Sequence, residues 1–181
     1  MHKVAFLDRD GVINHDHGYV HNKSNFEYID DVIVAMSKLN LNGFKIIIVT
    51  NQAGIAKGHF TEDEYHELTN WYVNDLKQKK VEIFDIFFCP FHIESKNPEY
   101  KKDSFLRKPN PGMFFEAFSK YQIDRNKSFM VGDKISDIEA SLAAGIKNNF
   151  LIAEDSQDSN QLDKTTYVKS LNEAVNIVLK K

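Results

Sequence analysis

Val4-Ala5-Phe6-Leu7-Asp8-Arg9-Asp10-Gly11-Val12-Ile13 runs from four apolar residues into an acid-base-acid triplet, and its second acid forms an Asp-Gly turn pair. The apolar run predicts a strand over 4–7 that gives way to a polar loop. Two carboxylates held this close repel, and the arrangement is costly unless a cation or a proton lies between them. A hard divalent metal with oxygen ligands answers that need, and Asp133 is a further acidic ligand for it.

Apolar and β-branched runs recur at 45–49, 84–89, 129–131 and 150–152, and 45–49 is the most hydrophobic, as expected of a strand covered on both faces. Segments of helical period separate them. One spans 31–40 with Val32, Ala35, Met36 and Leu39 on its inner side, ended by Gly43. A second opens on the capping box Thr61-x-x-Glu64 and buries Tyr65, Leu68, Tyr72 and Leu76. A third has Pro111 at its first position and presents Met113, Phe114, Ala117, Phe118 and Tyr121. Ser136 with Glu139 predicts the cap of a fourth, ended by Gly145, and Ser170 with Glu173 that of a fifth, which buries Leu171, Ala174, Val175 and Val178. Strands alternating with helices predict an α/β fold, a Rossmann-like, mostly parallel sheet with helices on both faces. Residues 90–110 show no periodicity and predict a functional or mobile loop. Residues 154–164 are polar and expected to be exposed.

With 181 residues, 42% of them hydrophobic, the chain can bury a core as one domain over 1–181. Its 23 Lys and Arg against 26 Asp and Glu leave a net charge of −3, so no basic field is present to hold nucleic acid or an acidic membrane. No apolar run approaches the roughly 20 residues of a spanning helix, and no N-terminal leader pattern stands before the first strand. The single cysteine, Cys89, forms no internal disulfide. A cytoplasmic monomer is expected.

In doubly wound sheets ligands bind outside the carboxyl ends of the strands, where this chain sets out its polar residues in order. Asp8 and Asp10 follow the first strand, Thr50, Asn51 and Gln52 the second, Arg107 and Lys108 end the loop after the third, and Asp133 follows the fourth. Each residue has an ordinary structural alternative: Asp10 a turn residue, Thr50 a strand residue bonded to backbone, Lys108 and Arg107 solvated charges, Asp133 a helix cap. Taken together they supply a nucleophile, a metal site, a hydroxyl donor and a fixed positive charge, the parts of a phosphoryl-transfer site.

Asp8-Arg9-Asp10-Gly11-Val12-Ile13, Thr50-Asn51-Gln52, Lys108 and Gly132-Asp133-Lys134-Ile135-Ser136-Asp137 resemble the four ordered motifs of the haloacid dehalogenase superfamily of phosphatases. Asp16-His17-Gly18-Tyr19-Val20, Asn51-Gln52-Ala53-Gly54-Ile55-Ala56, Cys89-Pro90 and Arg107-Lys108-Pro109-x-Pro111-Gly112-Met113 narrow the resemblance to the branch without a large cap domain. That branch acts on a heptose 1,7-bisphosphate and, in near relatives, on histidinol phosphate. The resemblance implies a small sugar phosphate as partner, removal of the C7 phosphate of the heptose bisphosphate on the route to nucleotide-activated heptose, and histidinol phosphate or another small ester as the alternative. It implies Asp8 as nucleophile through an aspartyl phosphate, Asp10 as acid and base, and Thr50 and Lys108 as binders of the transferred group. Magnesium would be held by Asp8, the Asp10 carbonyl, Asp133 and the Lys134 backbone. Substrate contacts carry over to Asp16, His17, Gly18, Tyr19, Asn51, Gln52, Ala53 and Arg107, with Arg107 for the second phosphate. His17 and Tyr19 have loop packing as their alternative.

The chain departs from this group where relatives carry a structural zinc. The ligand positions read Cys89, Phe91, Ser104 and Leu106. A tetrahedral site needs four donors, so no zinc is expected, and Phe91, Leu106 and Phe105 are expected to close the loop by burial instead. A receiver-type signalling domain would carry an adjacent acidic pair and a later phosphoacceptor, and a binding-only protein would have no need of Asp8, Asp10, Thr50, Lys108 and Asp133 together.

Overall fold

The computed structural model describes residues 1–153 and 164–180. Six strands, β1 (Val4–Leu7), β2 (Lys45–Asn51), β3 (Ile83–Cys89), β4 (Phe129–Gly132), β5 (Asn148–Ile152) and β6 (Thr165–Val168), form one parallel sheet in the order β3-β2-β1-β4-β5-β6. The helices are α1 (Val32–Leu41), α2 (Ala53–Ala56), α3 (Glu62–Gln78), α4 (Gly112–Lys120), α5 (Ile135–Ala143) and α6 (Leu171–Leu179). No helix among the described residues is long and apolar enough to cross a membrane.

The strand period of two sorts side chains into two cores. Ala5 and Leu7 of β1 and Ile46 and Ile48 of β2 pack with α1, α3 and α6, while Val4, Phe6, Ile47 and Val49 face α4 and α5. Because the chain leaves β1 toward β2 on one side and returns to β4 on the other, a crevice opens above the end of β1, and Asp8 and Asp10 stand at it.

Several local expectations need correction. β2 continues through Thr50 to Asn51, because both pair with β3 at Phe88 and Cys89. The short α2 was not foreseen. Ser136 does not cap α5: Lys134 precedes the helix, and Asp137, three positions on, reaches back to accept from the Lys134 N–H at 3.0 Å. Glu173 accepts from the Lys169 N–H rather than from Ser170, whose hydroxyl accepts from the Glu173 N–H as expected. α4 begins at Gly112, one residue past Pro111. β6 was missed because only Val168 of its four residues is buried, so no apolar run betrays it. The expectation of an exposed segment over 154–164 falls, except for Lys164, outside the described residues.

The loop at 90–110 has no helix or strand. Phe91 and Leu106 pack on the core beneath α4 as expected, but Phe105 turns outward, 58% exposed, onto Phe115 at 6.0 Å. Its carbonyl accepts from the Gly112 N–H at 3.1 Å, which fastens the loop to the start of α4, where any side chain larger than glycine's would meet that same carbonyl.

Candidate active site

Strand alternation sends Asp8 and Asp10 to the crevice and Arg9 inward, where it is fully buried. A buried guanidinium needs an anion, and Arg9 Nη2 donates to both oxygens of Asp10 at 2.9 Å and to the Val20 carbonyl at 2.8 Å. Asn14 Nδ2 at 3.0 Å and Gln52 Nε2 at 3.1 Å complete the donors around the Asp10 carboxylate. Gln52 also donates to Thr50 Oγ1 at 2.9 Å, which leaves the Thr50 hydroxyl proton to donate elsewhere.

Lys108 is buried beneath these residues. Its Nζ lies 3.0 Å from Asp8 Oδ1 and 2.5 Å from Asp137 Oδ1, and donates to the Val49 carbonyl at 2.7 Å. Asn51 clasps the Lys108 backbone, its side-chain oxygen accepting from the Lys108 N–H and its amide donating to the Lys108 carbonyl, both at 3.1 Å. The expected ligand Asn51 therefore also fixes the lysine. Burial pulls the Lys108 ammonium toward neutrality, but Asp137 and Asp8 outweigh it and hold its pKa above the ordinary value.

One carboxylate oxygen each from Asp8, Asp133 and Asp137 lies within 4.8 Å of the others. Burial pushes Asp8 up to about 7 against the pull of Lys108, with Asp137 adding to the rise, and burial pushes Asp133 up to about 6. Asp133 Oδ1 is buried without a hydrogen-bond partner, and Lys134 Nζ stands 3.8 Å from Oδ2. Gly11 faces this carboxylate with φ +83°, and a Cβ there would fall 2.2 Å from Asp133 Oδ2. Three crowded acids with one lysine between two of them, and an orphaned acceptor on the third, fit a hard divalent cation.

Above this floor lies a cleft of about 700 Å³ lined by Asp8, Asp10, Asp16, Gly18, Tyr19, Asn51, Gln52, Ala53, Arg107, Lys108 and Lys134. Asp16 reaches Lys134 Nζ at 3.2 Å and accepts from the Gly18 N–H at 3.1 Å; these partners outweigh burial and hold its carboxyl below the usual range. Arg107 Nη1 is buried without a partner. Thr50 and Asp133 stand just behind the lining. His17 is not brought in: it stacks on His15 and lies 3.4 Å from Glu27, outside the cleft.

Two important residues escaped the sequence reading. Asp137 was placed with the polar residues after the fourth strand but given no role, although an acid in the first turn of α5 was the available signal. Gly132 gives it room, since a Cβ there would lie 2.3 Å from the Asp137 Cβ. Arg9 carried its own signal, the inward position between two outward acids.

The polynucleotide kinase 3 phosphatase family matches residues 3–172 of this chain. The chain is 53% identical over 150 residues to the D-glycero-alpha-D-manno-heptose-1,7-bisphosphate 7-phosphatase of Photorhabdus laumondii, a match covering 83% of this chain and 82% of the relative. To the D-glycero-beta-D-manno-heptose-1,7-bisphosphate 7-phosphatase of Escherichia coli K12 it is 46% identical over 149 residues, covering 82% and 78%. Among solved structures it is similar to a haloacid dehalogenase-like phosphatase of Mesorhizobium loti, with TM-score 0.87, 27% identity and coverage of 99% and 87%. The D,D-heptose 1,7-bisphosphate phosphatase of B. bronchiseptica, solved with magnesium and phosphate, shares the fold at TM-score 0.85 and 24% identity, covering 98% of each chain.

Proposed function

The chain belongs to the polynucleotide kinase 3 phosphatase family, phosphoric monoester hydrolases of the haloacid dehalogenase type, and we propose that it removes the C7 phosphate of D-glycero-D-manno-heptose 1,7-bisphosphate. The observation that carries the reading is Asp8 paired with Lys108 at 3.0 Å on the floor of a cleft that Arg107 also lines. The lysine and the acids serve the reacting phosphate, and the guanidinium serves the second one. Histidinol phosphate would offer a cationic amine to that arginine, which disfavours it.

An Asp8 carboxylate oxygen attacks the C7 phosphorus in line, and the bond to the sugar oxygen breaks. Asp10 protonates that oxygen, then takes a proton from the water that hydrolyses the aspartyl phosphate. Arg9, Asn14 and Gln52 hold Asp10 in place for both transfers. Lys108 and the Thr50 hydroxyl bind the non-bridging oxygens, with Asp137 and the Asn51 clasp fixing the lysine. Asp16, Gly18, Tyr19, Asn51, Gln52 and Ala53 border the sugar. Asp8 and Asp133, with the Asp10 carbonyl and the Lys134 backbone, would hold magnesium, which supplies positive charge between the anionic nucleophile and the anionic phosphate. The product feeds synthesis of nucleotide-activated heptose in the cytoplasm, and the enzyme works as a monomer.

Phosphate release with magnesium is measured on both anomers of the heptose bisphosphate and on histidinol phosphate. C7 cleavage of a heptose bisphosphate is expected, reduced at least about a thousandfold in Asp8→Asn. Activity on histidinol phosphate alone would transfer the reading to that ester. Metal analysis of protein purified without chelator is expected to give no stoichiometric zinc, since the non-ligating Phe91 and Leu106, partly buried against the core, stand at two of the four ligand positions; one zinc per chain would contradict this.

A further inference from the structure

We propose that His59 is a positioning residue for substrate binding: its ring holds Tyr19, and with it the loop of residues 16–19, at the rim of the cleft. The inference rests on the phosphatase reading above and concerns a residue outside the cleft lining. Tyr19 lines the cleft, is 42% exposed and has φ +53°. A tyrosine in that left-handed region is disfavoured unless its surroundings hold it. The His59 ring does so, lying 4.0 Å from the Tyr19 ring at an interplanar angle of 18°.

A second stack runs beside the first. His21 Nδ1 donates to the Tyr19 carbonyl at 2.8 Å, and its ring lies on Phe60 at 5.2 Å and 7°. Phe60 is in turn buried against Gly54 at the cleft wall, where a Cβ would stand 2.1 Å from the Phe60 ring. The chain of contact therefore runs from the wall through Phe60 and His21 to the Tyr19 backbone, and from His59 to the Tyr19 ring. No backbone hydrogen bond joins 16–21 to 57–60 among the described residues, so the rings make this tie. Across the cleft the same loop is held by Asp16 on Lys134 at 3.2 Å. With one edge held by charge and the other by two ring stacks, loss of His59 frees the Tyr19 ring while the His21–Phe60 stack and the Asp16–Lys134 pair remain. Asp8, Asp10 and Lys108 do not touch it.

His59→Ala and His59→Phe are compared with the unaltered, magnesium-loaded enzyme. On the heptose bisphosphate, His59→Ala is expected to raise KM about three- to tenfold, the worth of one aromatic pair, with kcat kept within about twofold, and His59→Phe to restore KM. Amide hydrogen exchange of the full chain is expected to speed up in 15–21 in the alanine variant alone, with β1 and α3 unchanged. Unaltered KM and exchange in His59→Ala would overturn the proposal, as would a phenylalanine variant no better than alanine. If the unaltered enzyme does not cleave the heptose bisphosphate, the substrate reading fails, and exchange in 15–21 still decides whether His59 holds the loop.

Discussion

Lys108 keeps the floor of the cleft together, because its ammonium is the cation between two buried carboxylates, Asp8 at 3.0 Å and Asp137 at 2.5 Å. Removing one member of a buried ionic cluster leaves uncompensated charge, a loss of about 3 kcal/mol or more. Lys108→Met is therefore expected to lower the Tm of the metal-free protein by several degrees and to reduce phosphate release at least about a hundredfold. Thermal unfolding beside the phosphate assay checks this, and an unchanged Tm would show that the carboxylates are relieved by some other group. The residue was legible in the sequence as the lysine before Pro109, but its partners were not. Lys108 stands in a loop and Asp137 on α5, and nothing in the spacing of 108 and 137 states that they meet. Arg9 was likewise visible as a charge between two acids, while its complete burial on Asp10 depends on what lies behind β1.

Thr61-x-x-Glu64 is a whole helix start written in four residues, and it forms as read: the Thr61 hydroxyl accepts from the Glu64 N–H at 3.1 Å and Glu64 accepts from the Thr61 N–H at 2.7 Å. α3 supplies core rather than cleft. Thr61→Ala is expected to cost about 1 kcal/mol of folding stability in denaturant titration while leaving kcat and KM unchanged; a changed KM would show that the cap also steers the neighbouring His59 and Phe60. α5 shows the limit of the same reasoning. Ser136 and Glu139 satisfy the capping pattern in sequence, yet Asp137 makes the reciprocal bond to Lys134, because the helix starts two residues earlier, which aims Asp137 at Lys108. The cap thus stands two residues before Ser136, at Lys134, and a tertiary demand overrode a local preference. In β6 the failure was different: an edge strand with one buried residue carries no hydrophobic signature and exists through its pairing with β5.

The pH response of the folded chain should reflect its acids. Asp8 and Asp133 are raised from 3.8 to about 7 and about 6, so the folded state keeps protons that the unfolded state releases. Their contribution to stability is full below about pH 4 and drains away as pH climbs toward 7. Magnesium competes with those same protons. The Tm gain on adding magnesium is therefore expected to be small near pH 5 and large near pH 8, read by thermal unfolding with and without the metal; an equal gain at both would mean that the cation sits away from these carboxylates. The class of the fold, five of the six described strands and most helices, and the order of the polar residues that follow the strands were readable along the chain, because periodicity, caps and turns act over a few residues. Which acids crowd within 4.8 Å, that Asn51 clasps Lys108, that His17 turns away to Glu27, and that His59 meets Tyr19 emerged only in three dimensions. Those contacts join residues brought together by sheet order and loop packing, and no local pattern records the distance between them.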